Sequence, residues 1–440
     1  MALILVGLAL LVAWPVYTML LLAYSARNGA MARRHRGRVD VAAPVTAQPT
    51  TFWIVVPCLN EERVVANTVA SALALKAPWG ARTRVLVVDD GSDDATPDVL
   101  AGIDHPSLHV LRRNAPEARQ GKGEALNAAF RYICDRTAAE GGDPHRVAVG
   151  VIDGDGRGSA NMLLEVAHAM RDPLVGATQS RVRIHNRNRV LAAVQDLEFG
   201  CVADASQSIR NTLGTVGLGG NGQFARLSAL IDLGPKPWSK CLVEDLELGL
   251  RMHLAGTKVR YLPHASVTQQ GLVDVNRLLR QRTRWAQGNL QCARYLPTLL
   301  ASRRISNVQL GEMLHYLLAP WLNAAGAIGL AVLWTVAASR LATDPTHPFL
   351  VRSWPELAMA AAVWTGALFA PGLLWAVTHR VKLRDERLSR LLVAGLAYPW
   401  FLVLGLVSTW RAIGRHVTRR NAWAKTERLV EAVEAVEAPA

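Results

Sequence analysis

The sequence predicts an α/β domain, with strands and helices in alternation, set between hydrophobic membrane segments. Three observations lead there. Short apolar runs close on proline, glycine or acidic residues, with helix-length stretches between them. Four nearly uncharged segments lie outside this charged middle. Clusters of arginine follow those segments directly.

The apolar segments are Leu3–Tyr24, Tyr316–Ser339, Leu357–Thr378 and Leu391–Trp410. Each holds about 20 residues or more, enough to cross roughly 30 Å of hydrocarbon as a helix. The formal net charge is +14. Much of it flanks these segments: Arg27, Arg33, Arg34, Arg36 and Arg38, then His379 to Arg390, then Arg411, Arg415, Arg419 and Arg420. That placement is the positive-inside pattern and suits anionic head groups. No interleaved basic and aromatic stripe is visible, so nucleic acid is not expected as a partner. The N-terminus shows no basic region ahead of its apolar run and no small-residue cleavage site, so it reads as a retained anchor that enters the cytoplasm. The five cysteines, Cys58, Cys134, Cys201, Cys241 and Cys292, are widely spaced and read as reduced thiols, not as a metal motif.

Pro44 and Pro49 mark a linker. Phe52-Trp-Ile-Val-Val-Pro57, Arg84-Val-Leu-Val-Val-Asp89 and Val147-Ala-Val-Gly-Val-Ile152 then read as strands, with helices over 61–75 and 124–139. Alternation of this kind predicts a parallel sheet flanked by helices. Ligands of such sheets sit beyond the carboxyl ends of the strands. A helical pattern follows from 273 to about 300, and the Ala, Val and Glu-rich tail after Glu427 reads as an exposed helix or disordered chain. With the N-terminus outside, four full crossings would leave a basic C-terminus outside. One late segment is therefore expected to be re-entrant or interfacial, and Pro399 makes 391–410 the first suspect.

Six motifs carry chemistry, and each has a plainer alternative. Pro57-Cys58-Leu59-Asn60-Glu61-Glu62 ends a strand and also fits an acidic helix start. Asp89-Asp90-Gly91-Ser92 can accept hydrogen bonds from a base or ribose, or be an acidic turn. Gly121-Lys122-Gly123 does not have Walker spacing, yet its lysine can reach a phosphate from a helix start. Asp153-Gly154-Asp155 offers a hard oxygen site for Mg²⁺ or Mn²⁺ with substrate phosphates, or a solvated turn. Glu244-Asp245 can supply a general base, or complement a helix dipole. Gln281, Arg284 and Trp285 share one side of a helix, suited to phosphate and a sugar ring or to a lipid interface.

In this order and at these intervals the motifs resemble the family 2 glycosyltransferases, specifically the processive membrane synthases of cellulose, hyaluronan, chitin and poly-N-acetylglucosamine. The resemblance covers about residues 52–300, with the flanking segments matching by layout. It implies a GT-A nucleotide-sugar domain joined to an α-helical membrane region. It further implies that Pro57, Asn60 and Glu61 line a uridine pocket and Asp90 holds uracil or ribose. Lys122 would approach the nucleotide. Asp155, with Asp153 behind it, would bind the metal. Asp245, beside Glu244, would be the catalytic base, and Gln281, Arg284 and Trp285 would bind diphosphate and acceptor sugar. Trp423, Thr426 and Arg428 resemble a C-terminal gating segment, and Gly217 to Gln223 a loop near the acceptor terminus. Val243 stands where cellulose-type enzymes often have threonine, which argues against naming cellulose as the product.

The implied domains are an anchor over 1–26, a basic linker over 27–50, a cytoplasmic GT-A domain over 51–271, interfacial helices over 272–312, membrane segments over 313–411 and a cytoplasmic gating tail over 412–440. The implied reaction is inverting, processive transfer from a UDP-sugar to a growing carbohydrate at the inner membrane, forming β-linkages. Few helices make a thin channel wall, so a partner subunit or homo-oligomer would complete one. Two rivals stand beside this: a single-addition transferase acting on a lipid, and a non-catalytic membrane protein that binds nucleotide-sugar.

Overall fold

The computed structural model describes residues 16–27, 48–344, 346, 351–419 and 428–429. Residues 16–27 form helix α1. The catalytic-size middle follows as β1 (Thr51–Cys58), α2 (Val65–Leu73), β2 (Arg82–Asp89), α3 (Thr96–Ala101), β3 (Leu108–Arg112), α4 (Lys122–Ala139), β4 (Val147–Val151) and β5 (Arg157–Gly158). Then come α5 (Met162–Ala169), β6 (Val175–Ile184), α6 (Val190–Leu197), α7 (Asp204–Leu213), β7 (Gln223–Arg226), α8 (Leu227–Ile231), α9 (Glu244–Ala255) and β8 (Lys258–Gln269).

The eight strands form one sheet in the order β3-β2-β1-β4-β7-β6-β8-β5. The expected parallel pairing holds among β1 to β4 and between β6 and β8, but β7 runs antiparallel to both β4 and β6, and β5 antiparallel to β8. The sheet is therefore mixed. The reason is visible in composition. β1, β2 and β4 are apolar runs buried on both faces, whereas β6 and β8 mix charged and polar residues with apolar ones. Two apolar layers sandwich the sheet. One gathers Phe52, Ile54, Val85 and Met162, and the other Trp53, Leu86, Leu126 and Ile133.

The C-terminal part is helical: α10 (Val275–Cys292), α11 (Leu296–Ala301), α12 (Asn307–Thr343), α13 (Trp354–Lys382) and α14 (Leu388–Val417). Among the described residues, α12, α13 and α14 are long and apolar enough to cross a membrane. α12 starts on the sheet domain, where Arg210 pairs with Glu312 at 2.9 Å. It meets α13 at its far end through Ala337, Leu341, Val351 and Leu357. α13 returns to the domain, where His379 Nε2 lies 2.8 Å from Asp196, Arg183 pairs with Asp196 and Asp385 at 2.9 Å, and Lys382 pairs with Asp204.

α14 is different. Leu391, Ala394, Tyr398 and Phe401 pack on Val194, Leu197, Leu272 and Leu278, and near the other end Arg415 Nε donates to Gln287 Oε1 at 3.0 Å. Both ends of the helix thus rest on the same body. Its outward face is the apolar stripe Val393, Leu396, Trp400, Val403, Val407 and Trp410, all exposed. Pro399, which marked this segment as the one to be re-entrant or interfacial, lies inside a helix that runs through it without interruption. Gly372 and Gly395 let α13 and α14 cross closely: a Cβ on Gly372 would lie 2.1 Å from the Gly395 carbonyl oxygen.

Candidate active site

The carboxyl ends of β1, β2 and β4 converge at one edge of the sheet. Beyond β1 the chain turns through Asn60 at φ 54°, a left-handed conformation that asparagine tolerates. Asn60 and Asp93 bond reciprocally: Asn60 Nδ2 donates to Asp93 Oδ1 at 2.6 Å, and the Asp93 N–H donates to Asn60 Oδ1 at 3.0 Å. Asn60 therefore ties two strand-end loops together, and unlike Pro57 and Glu61 it is not among the cavity-lining residues. Asp90, beyond β2, pairs with Arg113, and burial pushes its carboxyl up against the opposing arginine charge.

Beyond β4, the Asp153 N–H donates to Asn221 Oδ1 at 3.1 Å, and Lys122 Nζ, at the start of α4, donates to Asp153 Oδ1 at 2.6 Å. Lys122 also lies 3.6 Å from Glu244. Burial works against the lysine charge, but Asp153, Glu244 and Asp245 outweigh it and hold its pKa above the ordinary value. Burial likewise opposes the Asp153 charge, and Lys122 prevails to hold that carboxyl below its usual range. The expected order in depth of the Asp153 and Asp155 pair is reversed. Asp153 lines the cavity, while Asp155 is 1% exposed, with Oδ2 accepting the Gln270 N–H at 2.9 Å. Arg428 Nη2 lies over it, 3.0 Å from Oδ1. The backbone of Leu429 pairs both ways with the Gln270 side chain, at 2.8 and 3.0 Å, so the chain beyond α14 comes back to this edge. Trp423 and Thr426 lie outside the described residues.

Glu244 and Asp245 open α9. Burial, then the adjacent Glu244 charge, raises the Asp245 carboxyl to about 7, with Lys122 opposing. The glycine run backs this residue. At Gly220, φ is 74° and a Cβ would stand 2.8 Å from Asp245 Oδ2. Across the cavity, α10 presents Gln281, Arg284 and Trp285 on one side. Arg282 also lines the cavity, pairs with Glu198 and lies 4.6 Å from the Trp285 ring and 5.0 Å from the Phe401 ring. That arginine anchors the helix against α14.

Pro57, Glu61, Asp90, Lys122, Asp153, Glu244, Asp245, Gln281, Arg284, Trp285 and Arg428 thus border one cavity of about 610 Å³. Motif reading missed its far wall, where α12 contributes Tyr316 and Pro320 and α14 contributes Gly405, Ser408 and Thr409. These positions carry no local signal, because hydroxyls and small residues are ordinary in apolar helices. Arg113, the partner of Asp90, was missed because a single arginine just beyond β3 belongs to no motif. Among the described residues no group of three or more His, Cys, Asp or Glu is placed to hold a metal ion. The donor set is a carboxylate pair, which fits a divalent ion whose remaining ligands come from phosphate and water.

The profile of the family described as "Glycosyltransferase like family 2" matches residues 49–288, more than half of the chain. The chain belongs to this family. Within family 2 it is similar to the beta-monoglucosyldiacylglycerol synthase of Trichormus variabilis, 32% identical over 281 residues, covering 62% of this chain and 56% of the relative. It is also similar to the poly-beta-1,6-N-acetyl-D-glucosamine synthase of Staphylococcus epidermidis, 28% identical over 243 residues and 52% of each chain. The chain spans about half the length of the curated relatives it matches. In fold, this family 2 glycosyltransferase is similar to the mannosyltransferase PcManGT from Pyrobaculum calidifontis, solved with GDP-Man and Mn²⁺. The TM-score is 0.55 at 19% identity, over 90% of this chain and 99% of that one.

Proposed function

We propose that the protein is an inverting, UDP-sugar-dependent glycosyltransferase that forms a β-linkage to the hydroxyl of a membrane lipid. The observation that carries this is the cavity itself, which runs from the strand-end carboxylates and Lys122 to the membrane-length helices α12 and α14. Asp245 removes the proton of the acceptor hydroxyl. The acceptor oxygen attacks the anomeric carbon, the bond to the diphosphate breaks, and its electron pair leaves with UDP. A base near neutral pH suits this step. Lys122 and Arg284 offset charge growing on the leaving diphosphate, an effect strong in a site that excludes water. Asp153 and Asp155 would hold Mg²⁺ or Mn²⁺, which supplies further neutralisation of the diphosphate.

The lipid acceptor is favoured over a polymer by the far wall. Tyr316 and Thr409 border the cavity from the membrane-length helices α12 and α14, and the diacylglycerol enzyme of Trichormus variabilis is a relative over most of the domain. A second reading, processive transfer to a carbohydrate, is supported by Gln281, Arg284 and Trp285 and by the poly-N-acetylglucosamine relative. In either case α12 and α13 form a hairpin that crosses and returns, while α14 lies along the interface on its apolar stripe. On this reading the basic C-terminus stays on the cytoplasmic side with the catalytic domain.

The test is product analysis in proteoliposomes supplied with diacylglycerol and labelled UDP-glucose, UDP-N-acetylglucosamine or UDP-glucuronate, with and without chelator. A labelled lipid carrying one sugar, lost in chelator, is expected. A labelled polymer selects the second reading. Failure to bind or consume any UDP-sugar rejects both.

A further inference from the structure

We infer that Cys241 and Cys292 form a dithiol whose oxidation to a disulfide switches transfer off. Their sulfurs lie 4.0 Å apart, although the residues sit on different elements. Cys241 precedes the Glu244-Asp245 pair and is half-buried. Cys292, fully buried, ends α10, the helix that carries Arg284 and Trp285. Oxidation of this pair would therefore bear on the distance between the two chemical walls of the cavity.

The loop is already strapped to the helix. The Leu242 N–H donates to Gln291 Oε1 at 3.0 Å, and Cys241 Sγ lies 3.4 Å from the same oxygen. Val243 rests on Gly288, where an added Cβ would stand 2.7 Å from the Val243 methyls and 2.9 Å from its nitrogen. A disulfide needs its sulfurs about 2.05 Å apart, so the two sulfurs must approach by roughly 2 Å, through rotation of the side chains together with movement of the segments that carry them. Val243, packed on Gly288, pins the loop next to Cys241, so movement of the segment falls on the residues beside that pin, Glu244 and Asp245 among them. Misplacement of a reacting group by about 1 Å costs on the order of 10²-fold in rate.

The oxidant is a low-molecular-weight disulfide. The hydrogen bond to Cys241, together with burial, holds the Cys292 thiol far above its ordinary pKa, so exchange begins at half-buried Cys241. Its thiolate attacks one sulfur of the small disulfide, giving a mixed disulfide and releasing one small thiolate. Cys292 loses its proton to that thiolate and attacks the Cys241 sulfur, releasing the second small thiol. Two protein thiols are oxidised and one small disulfide is reduced to two thiols.

The experiment treats the full-length protein in nanodiscs with hydroxyethyl disulfide. Peptide mass mapping, UDP binding and sugar transfer are measured before and after dithiothreitol. The expected result is a 241–292 cross-link, transfer reduced on the order of 10²-fold with UDP still bound, and recovery on reduction. Cys241→Ser should transfer normally and ignore the oxidant. A mixed disulfide at Cys134 with no 241–292 cross-link overturns the inference, as does a cross-link that leaves transfer unchanged. The mass readout does not need sugar transfer, so it still reports on the dithiol if the proposed function fails.

Discussion

The nucleotide side of the cavity and its membrane side are built by opposite means. The first is a set of short loops at the ends of β1, β2 and β4, each anchored in a doubly buried strand, the first two bonded through Asn60 and Asp93 and the third bonded to the loop before β7 through Asn221. The second is assembled from α10, α12 and α14, whose contributing residues lie far apart in the chain. The helical half is joined to the sheet domain through α13, by pairs of His379 with Asp196 and Lys382 with Asp204. A rigid sheet edge fixes where charge is neutralised. A helical wall can vary to accept a different acceptor without disturbing that edge. The comparison predicts that damage on one side should leave the other measurable.

The largest separation is expected at the base. Asp245→Asn keeps shape and loses proton affinity, so transfer should fall by about 10²-fold or more. UDP affinity, measured by calorimetry, should stay within about threefold. Transfer above roughly a tenth of wild type would remove Asp245 from the role of base.

The joint between the two halves comes next. Asp196 is 1% exposed and receives Arg183 at 2.9 Å, Arg187 at 3.3 Å and His379 at 2.8 Å. Burial opposes its charge, and the bond from His379 and the charge of Arg183 win, holding the carboxyl well below its usual range. Asp196→Ala leaves Arg183 and Arg187 with Asp385 alone of the two carboxylates that hold them. Breaking a buried pair from one side costs about 3–5 kcal/mol. A clear drop in melting temperature with UDP binding retained would support two separable halves. Joint loss of both would mean the nucleotide side depends on the membrane side.

The same contrast explains what could be read in advance. Strand-end motifs are local, so Pro57, Asp90, Lys122, Asp153 and Asp245 could be picked out one by one, and they meet in a single cavity. The mixed half of the sheet was hidden because β6 and β8 bury Gln179, Ser180 and other polar groups and so lack an apolar run. Tyr316, Ser408 and Thr409 were hidden because only tertiary packing turns them toward the site. The course of α14 was half legible. Charge flagged the segment as anomalous, but its rest on α6 and α10 involves contacts that no local pattern encodes.

Trp285 tests the membrane side alone. Its ring stands edge-on to Phe199 at 6.2 Å and borders the cavity. Aromatic stacking is worth about 0.5–1.5 kcal/mol. Trp285→Ala should therefore raise the acceptor KM by about 3–10-fold, with UDP affinity little changed. An equal loss in both would assign Trp285 to holding α10 in place.

The smallest effect concerns Glu244, which sits where the two sides meet. Asp245 is raised to about 7 by burial first and by the Glu244 charge second. A general base acts only when deprotonated, so kcat/KM should fall as pH drops through this value and level off above it. Glu244→Gln removes the second cause and leaves the first. Ionisation of Asp245 then becomes easier, and the acid limb of the profile should move to lower pH. Burial remains, so the limb should stay above the ordinary aspartate value of about 3.9. At pH 8 both proteins carry Asp245 ionised, and their rates should differ little. At pH 6 the variant should be the faster of the two, an inversion that simple damage to the site would not produce. A limb that stays at its wild-type position would show that burial alone sets the base, and that Glu244 serves Lys122 instead, across the 3.6 Å that separates them.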